Sequence, residues 1–163
     1  MSLVRKASVE DCPAILELIK ELAAFEEMPE QVEMTVERLE RDGFSDEPKF
    51  SCLVAVEDRV IVGYAHFYPT YSTWVGPMMF MEDLYVTPSM RRKGIGSKLW
   101  RAVADVALRQ DCRRLQWTCL GWNENAIRMY EKFGGENLTT KESWNFFRMN
   151  RDKMEAFVGG VSE

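Results

Sequence analysis

Three runs rich in β-forming residues follow one another between Phe50 and Val86, and they put a sheet at the centre of whatever this chain folds into. Phe50 to Val56 is the first. Glu57-Asp58-Arg59 makes a tight turn, and Val60 to Tyr68 returns as the second. Pro69 to Gly76 reads as a loop, Met78 to Val86 as the third strand, and Pro88 ends it. Ahead of these runs, Val4 to Ala7 is a short strand. Ser8, with an acid three residues on, opens a helix whose Ile15, Leu16, Ile19, Leu22 and Ala23 share one face. The acidic, Pro29-bearing stretch from Phe25 to Gln31 breaks it. A second short helix covers Thr35 to Arg41, with Val36 and Leu39 inward, closed by Gly43.

The second half alternates. A basic turn from Ser89 to Gly96 leads into a helix striped by Leu99, Ala102, Val103, Val106 and Ala107. Leu115 to Leu120 is a strand, Asn123 opens a helix ended by Gly134-Gly135, and Trp144 to Met149 is a final strand. The tail after about residue 150 reads as loose. Repeats and linkers are absent, and 163 residues suit one domain spanning 1–163, at the usual ~100–200 residues per domain. The class is mixed α/β.

Charge and residue counts narrow the chemistry. The net charge of −5 argues against a nucleic-acid partner and for a cationic one. His66 is the single histidine, which removes multi-histidine zinc sites. None of Cys12, Cys52, Cys112 and Cys119 has C-x-x-C spacing, so metal and thioredoxin-type readings are weak and reduced thiols are expected. The longest apolar runs fall short of a membrane span, and a cytoplasmic setting is expected.

The basic turn carries the strongest signal. A strand, a glycine-bearing turn and a helix start leave backbone N–H groups pointing outward, with the helix dipole adding positive potential. The Walker order fails, because Ser97-Lys98 is reversed and Arg91 stands five before Gly96. The Rossmann pattern fails at Leu99. Arg91, Gly94 and Gly96 do fit [Q/R]-x-x-G-x-[G/A]. A solvated basic turn with a glycine for its geometry is the plainer alternative.

With Asn123, Ala126, Tyr130 and Gly134 in the order N-x-x-[AS]-x-x-x-Y-x-x-x-G, this turn resembles that of the GNAT acetyltransferase superfamily. Leu18 to Ala23, Glu26, Gln31-Val32, Asp42 to Phe44, Cys52 to Ala55, Thr70 to Trp74, Glu82-Asp83 and Trp144 resemble its diamine acetyltransferase family, over about Val4 to Met149. The resemblance implies a GNAT fold: a mixed, mostly antiparallel sheet flanked by helices, with splayed central strands. It implies acetyl-CoA as co-substrate, held by Leu84, Tyr85 and Val86, by Arg91, Arg92, Lys93, Gly94, Ile95, Gly96 and Ser97, and by Asn123, Ala126 and Tyr130. It implies a homodimer, no metal and no membrane.

Acetyl transfer to an amine needs a neutral amine, a steadied oxyanion and a protonated leaving thiolate. Free alkyl amines have a pKa near ~10, so a proton acceptor is required. The resemblance assigns that role to Glu82, thiolate protonation to Tyr130, and the cationic acceptor's walls to Phe25, Glu26, Trp74, Glu82, Asp83 and Glu142. Adjacent strand residues point to opposite faces, so Glu82 and Asp83 share the site only across a bulge, which the family implies. Ser72 and Gly121 replace acids of the spermidine-type enzymes. That moves the expected acceptor toward thialysine, lysine-like amino acids or short diamines. A silent CoA-binding module and a protein N-acetyltransferase are the alternatives.

Overall fold

The computed structural model describes residues 2–159. The chain forms two compact units, divided between Leu120 and Gly121.

The first unit is built on a five-stranded sheet in sequential order: β1 (Leu3–Lys6), β2 (Ser51–Glu57), β3 (Val60–Ser72), β4 (Gly76–Val86) and β5 (Arg114–Trp117). The first four strands are antiparallel to their neighbours, and β5 is parallel to β4. Helices α1 (Cys12–Phe25) and α2 (Val36–Gly43) cover one face; α3 (Ile95–Arg109) covers the other. The α3 side packs Leu99 and Val103 onto Ala65, Phe67, Met79 and Met81. The opposite side packs Ile15, Leu16 and Leu39 onto Val54, Tyr64 and Tyr85.

Local chemistry sets the ends of these elements. A turn of 3-10 helix, Val9–Asp11, precedes α1, and the Ser8 N–H donates to Asp11 at 2.8 Å. Arg5 grips the same carboxylate from β1 and holds it below the usual carboxylate range. Thr35 caps α2 by accepting from the Arg38 N–H at 3.3 Å. Gly94, at φ +78°, lets the chain turn sharply into α3.

Two features of the sheet matter for function. Pairing of β3 with β4 shifts between His66 and Phe67: Asp83 lies opposite His66 and Met81 opposite Phe67. Glu82 is therefore the extra residue of a bulge. Pairing of β4 with β5 stops at Met81 and Trp117, so β4 runs on through Val86 with no β5 residue beside it. This is the expected splay.

The structure corrects the loop expected over 69–76. β3 continues to Ser72 and β4 starts at Gly76, with Pro69 opposite Met79 inside the hairpin. β2 ends at Ser51, opposite Phe67, so Pro69 has a strand on one side only and its missing N–H is tolerated there. The strand at Leu115 to Leu120 is shorter than expected and shifted one residue earlier.

The second unit holds α4 (Glu124–Lys132), α5 (Leu138–Glu142) and α6 (Arg151–Val158). Asn123 caps α4, accepting from the Ala126 N–H at 3.3 Å. Gly134, at φ +91°, follows the helix end. The strand expected over Trp144 to Met149 does not form. That segment has no regular structure, and Trp144, Phe146, Phe147 and Met149 are exposed. β-formers alone do not make a strand; a paired neighbour does. The tail is helical from Arg151 to Val158, where a loose end was expected.

Candidate active site

The bulge at Glu82 turns two successive carboxylates to one face of the sheet. On β3, Tyr64 and Tyr68 lie four residues apart and so project to the same side. The Tyr64 hydroxyl donates to Asp83 at 2.9 Å, and the Tyr68 hydroxyl donates to Glu82 at 2.7 Å. His66 stands between the two tyrosines, opposite Asp83, with its ring 4.1 Å from that of Phe50. Glu26, just past the C-terminal end of α1, is near enough to act on the same group. Its charge, with that of Glu82, works against ionisation of Asp83.

Burial governs the electrostatics here. It lifts Asp83 to about 6, against the Tyr64 hydrogen bond, which favours the anion. Burial also raises Glu26. It lowers His66 to about 4, so the imidazole is neutral at physiological pH. Tyr68 is pushed up to about 12 by burial and by Glu82, and Tyr64 rises well above its ordinary value by burial and by Asp83. Both phenols stay protonated and donate.

The loop after β4 runs through a turn of 3-10 helix, Pro88–Met90, into α3. The Arg91 side chain is turned inward. Its Nε donates to the Val86 carbonyl at 2.8 Å, and its guanidinium lies over the rings of Phe25 (4.7 Å) and Tyr85 (5.2 Å). The Tyr85 hydroxyl in turn donates to Glu21 at 3.1 Å. Arg91 thus ties α1 to β4, and the loop's outward surface consists of backbone with the exposed Arg92 and Lys93. Arg92 itself adopts φ +62°. Among the described residues, apart from chain neighbours and local helix backbone, nothing lies within 4 Å of a Cβ built on Gly94, and Val86 Cγ2, at 3.9 Å, is what approaches one on Gly96. The space at both glycines opens outward at the start of a 15-residue helix. A helix start of this kind, with backbone N–H groups and open space at two glycines, suits an anionic phosphate group.

Besides those of the basic turn, the expected site residues fall into four groups. Glu26 and Glu82 both act on Asp83, and Phe25 packs against Arg91. Trp74 lies at the end of the β3–β4 hairpin, 77% exposed, its N–H donating to Ser72 Oγ at 3.1 Å. Asn123, Ala126, Tyr130 and Glu142 belong to the second unit. Tyr130 is half-buried on α4, and Glu142 accepts from Trp144 Nε1 at 2.8 Å. Leu84, Tyr85 and Val86 occupy the length of β4 beyond its pairing with β5. Sequence reasoning missed Tyr64, Tyr68 and His66 as site residues. Their spacing at i, i+2 and i+4 opposite an acidic pair was the available signal.

The acetyltransferase (GNAT) family profile matches residues 15–135. A bovine thialysine N-epsilon-acetyltransferase is 39% identical, with 96% of this chain and 97% of that protein covered. A human spermidine/spermine N(1)-acetyltransferase-like protein 1 is also 39% identical, over 93% of this chain and 23% of its own length. A solved aminoglycoside N-acetyltransferase in complex with CoA is 19% identical at a TM-score of 0.72, covering 93% of this chain and 95% of that one, a likeness of fold. With its splayed β4–β5 pair and glycine turn at the head of α3, the chain belongs to the acetyltransferase (GNAT) family.

Proposed function

We propose that this chain transfers the acetyl group of acetyl-CoA to the primary amine of a small cationic molecule by direct attack in a ternary complex. A thialysine- or lysine-like amino acid is the favoured acceptor, with short diamines and polyamines next. The observation that carries this reading is the gathering of Glu26, Glu82 and Asp83 beside the open length of β4. Two glutamates acting on one aspartate suit an ammonium group and repel an anionic acceptor.

Each residue then has a task. Asp83 and Glu26 hold the cation, with Phe25 and Trp74 as walls and Glu142 as a further acid. Glu82, exposed at the bulge and oriented by Tyr68, accepts the ammonium proton. The freed nitrogen attacks the thioester carbonyl, steadied by backbone N–H groups of Leu84 to Val86. The C–N bond forms as the C–S bond breaks, the departing sulfur takes a proton from Tyr130, and the proton shed by the new amide nitrogen restores Tyr130 by way of solvent. The side chains of Arg92 and Lys93 add charge beside the pyrophosphate, and the family likeness assigns Asn123 and Ala126 to the co-substrate.

The deciding assay measures acetyl-CoA turnover against thialysine, lysine, ornithine, putrescine and spermidine. Thialysine is expected to give the highest kcat/KM; a spermidine value clearly above it would overturn the preference. Tyr130→Phe is expected to lower kcat roughly 10- to 100-fold while CoA affinity stays within about twofold. The loss is bounded because a thiolate with a pKa near ~8.5 already leaves fairly well. Unchanged turnover would remove Tyr130 from the chemistry. A cytoplasmic homodimer completes the reading. Four free thiols suit the cytoplasmic setting, and sedimentation at micromolar concentration checks the dimer.

A further inference from the structure

We propose that Tyr64 is a positioning residue, whose buried hydroxyl holds Asp83 in place as an anion at the amine site. The inference rests on the proposed acetyl transfer and adds a residue to that site.

The ring of Tyr64 is fully enclosed in the core beneath α1 and α2. A phenylalanine would fill the same apolar space, so packing does not explain the hydroxyl. An enclosed hydroxyl without a partner costs stability, and Tyr64 spends its donor on Asp83 Oδ2, 19 residues further along the chain. The bond joins adjacent strands across the bulge, at the point where Asp83 is brought level with His66.

Every other charge facing Asp83 opposes its ionisation. Glu82 precedes it on β4, and Glu26 approaches from the end of α1. Cys52 on β2 and Tyr68 on β3 interact with it as neutral groups. His66, opposite it on β3, is neutral above pH about 4 and supplies no positive charge. Burial acts in the same sense as the two glutamates, and the Tyr64 hydroxyl acts against all three. Without that donor, Asp83 would take up a proton near neutral pH and lose its hold on an ammonium group.

The test follows the carboxyl itself. Protein carrying 13C at the aspartate carboxyl is titrated as wild type and as Tyr64→Phe, with Asp83→Asn identifying the resonance. The Asp83 midpoint is expected to rise by about one pH unit in Tyr64→Phe. The acidic limb of kcat/KM should rise with it. KM for the amine should increase roughly fivefold at pH 6 and roughly twofold at pH 7 while kcat changes little, and the two enzymes should converge toward pH 8.5. A midpoint that stays put, with activity reduced equally at every pH, would show a merely structural role and overturn the proposal. If Tyr64→Phe does not fold, replacing tyrosines with 3-fluorotyrosine strengthens the donor. The Asp83 midpoint must then fall, and an unmoved one refutes the assignment. A wild type that acetylates no amine in the panel sinks the proposed function, while the titration still decides the hold of Tyr64 on Asp83.

Discussion

Glu82→Gln is expected to lower kcat/KM for the amine by about 100- to 1,000-fold, the usual range for losing a general base. The substitution isolates the proton acceptor. Glutamine matches glutamate in size, and its carbonyl oxygen can still accept from the Tyr68 hydroxyl now 2.7 Å from Glu82. What is lost is the negative charge and the ability to take a proton. The side chain is exposed, so folding stability should move by no more than about 0.5 kcal/mol. The deficit should also shrink as pH approaches ~10, because the substrate amine then sheds its proton to solvent unaided. Steady-state rates from pH 7 to 10 check this. A loss below about threefold, or one that stays constant with pH, would move the proton acceptor elsewhere.

The second large effect concerns stability and has a sign that reverses between two variants. The folded pKa of His66 is lowered to about 4, so its stabilising contribution is fully present above the unfolded value of 6.5 and is lost as pH falls toward 4. The folded pKa of Asp83 is raised from 3.8 to about 6, so its contribution is fully present below 3.8 and is lost as pH rises through 6. Between pH 4 and 6 the two slopes oppose each other in the wild type. His66→Leu leaves the Asp83 slope alone, so stability should fall as pH rises from 4 to 6. Asp83→Asn leaves the His66 slope alone, so stability should rise from pH 4 to 6.5, and at pH 8 the variant should exceed wild type. Each effect is about 1–2 kcal/mol after allowing for partial exposure to solvent. Glu26, also raised by burial, adds a smaller slope of the same sign as Asp83 to both variants, while Asp11 and Asp42 are lowered, so their contributions are lost below about pH 4, outside this window. Urea unfolding at half-unit pH intervals measures both slopes. Parallel curves for the two variants would contradict the argument. Asp83→Asn should also be nearly inactive, so stability and amine binding compete for this one side chain.

Elements marked by local chemistry were legible in the sequence. Ser8 with Asp11, Thr35 before α2, Gly94 before α3 and Asn123 before α4 each announce a backbone conformation or a cap that no distant contact has to supply. The acidic site residues were legible through the family likeness. β3 was less so. It is covered on both faces, and its run from Val60 to Tyr68 is apolar or aromatic at nearly every position, so alternation does not show which side Tyr64 faces. Pro69 looked like a strand end because its tolerance depends on where β2 stops, a fact of tertiary pairing. Trp144 to Met149 has the composition of a strand but finds no partner among the described residues. The inward turn of Arg91 could not be read from its motif either, since the motif reports spacing and says nothing of the Phe25 and Tyr85 rings beneath it.

The extra residue of β4 also changes the strand's parity. Before it, odd-numbered Met79 and Met81 belong to the α3 core; after it, odd-numbered Asp83 and Tyr85 face α1 while Val86 packs toward α3. Both phases are pinned by buried side chains, so the point where one gives way to the other cannot slide along the strand. Deleting one residue there would give a more regular sheet and leave room for one carboxylate where the proposed reaction uses two. Lineages descending from this chain are therefore held to the count of residues between Met81 and Tyr85.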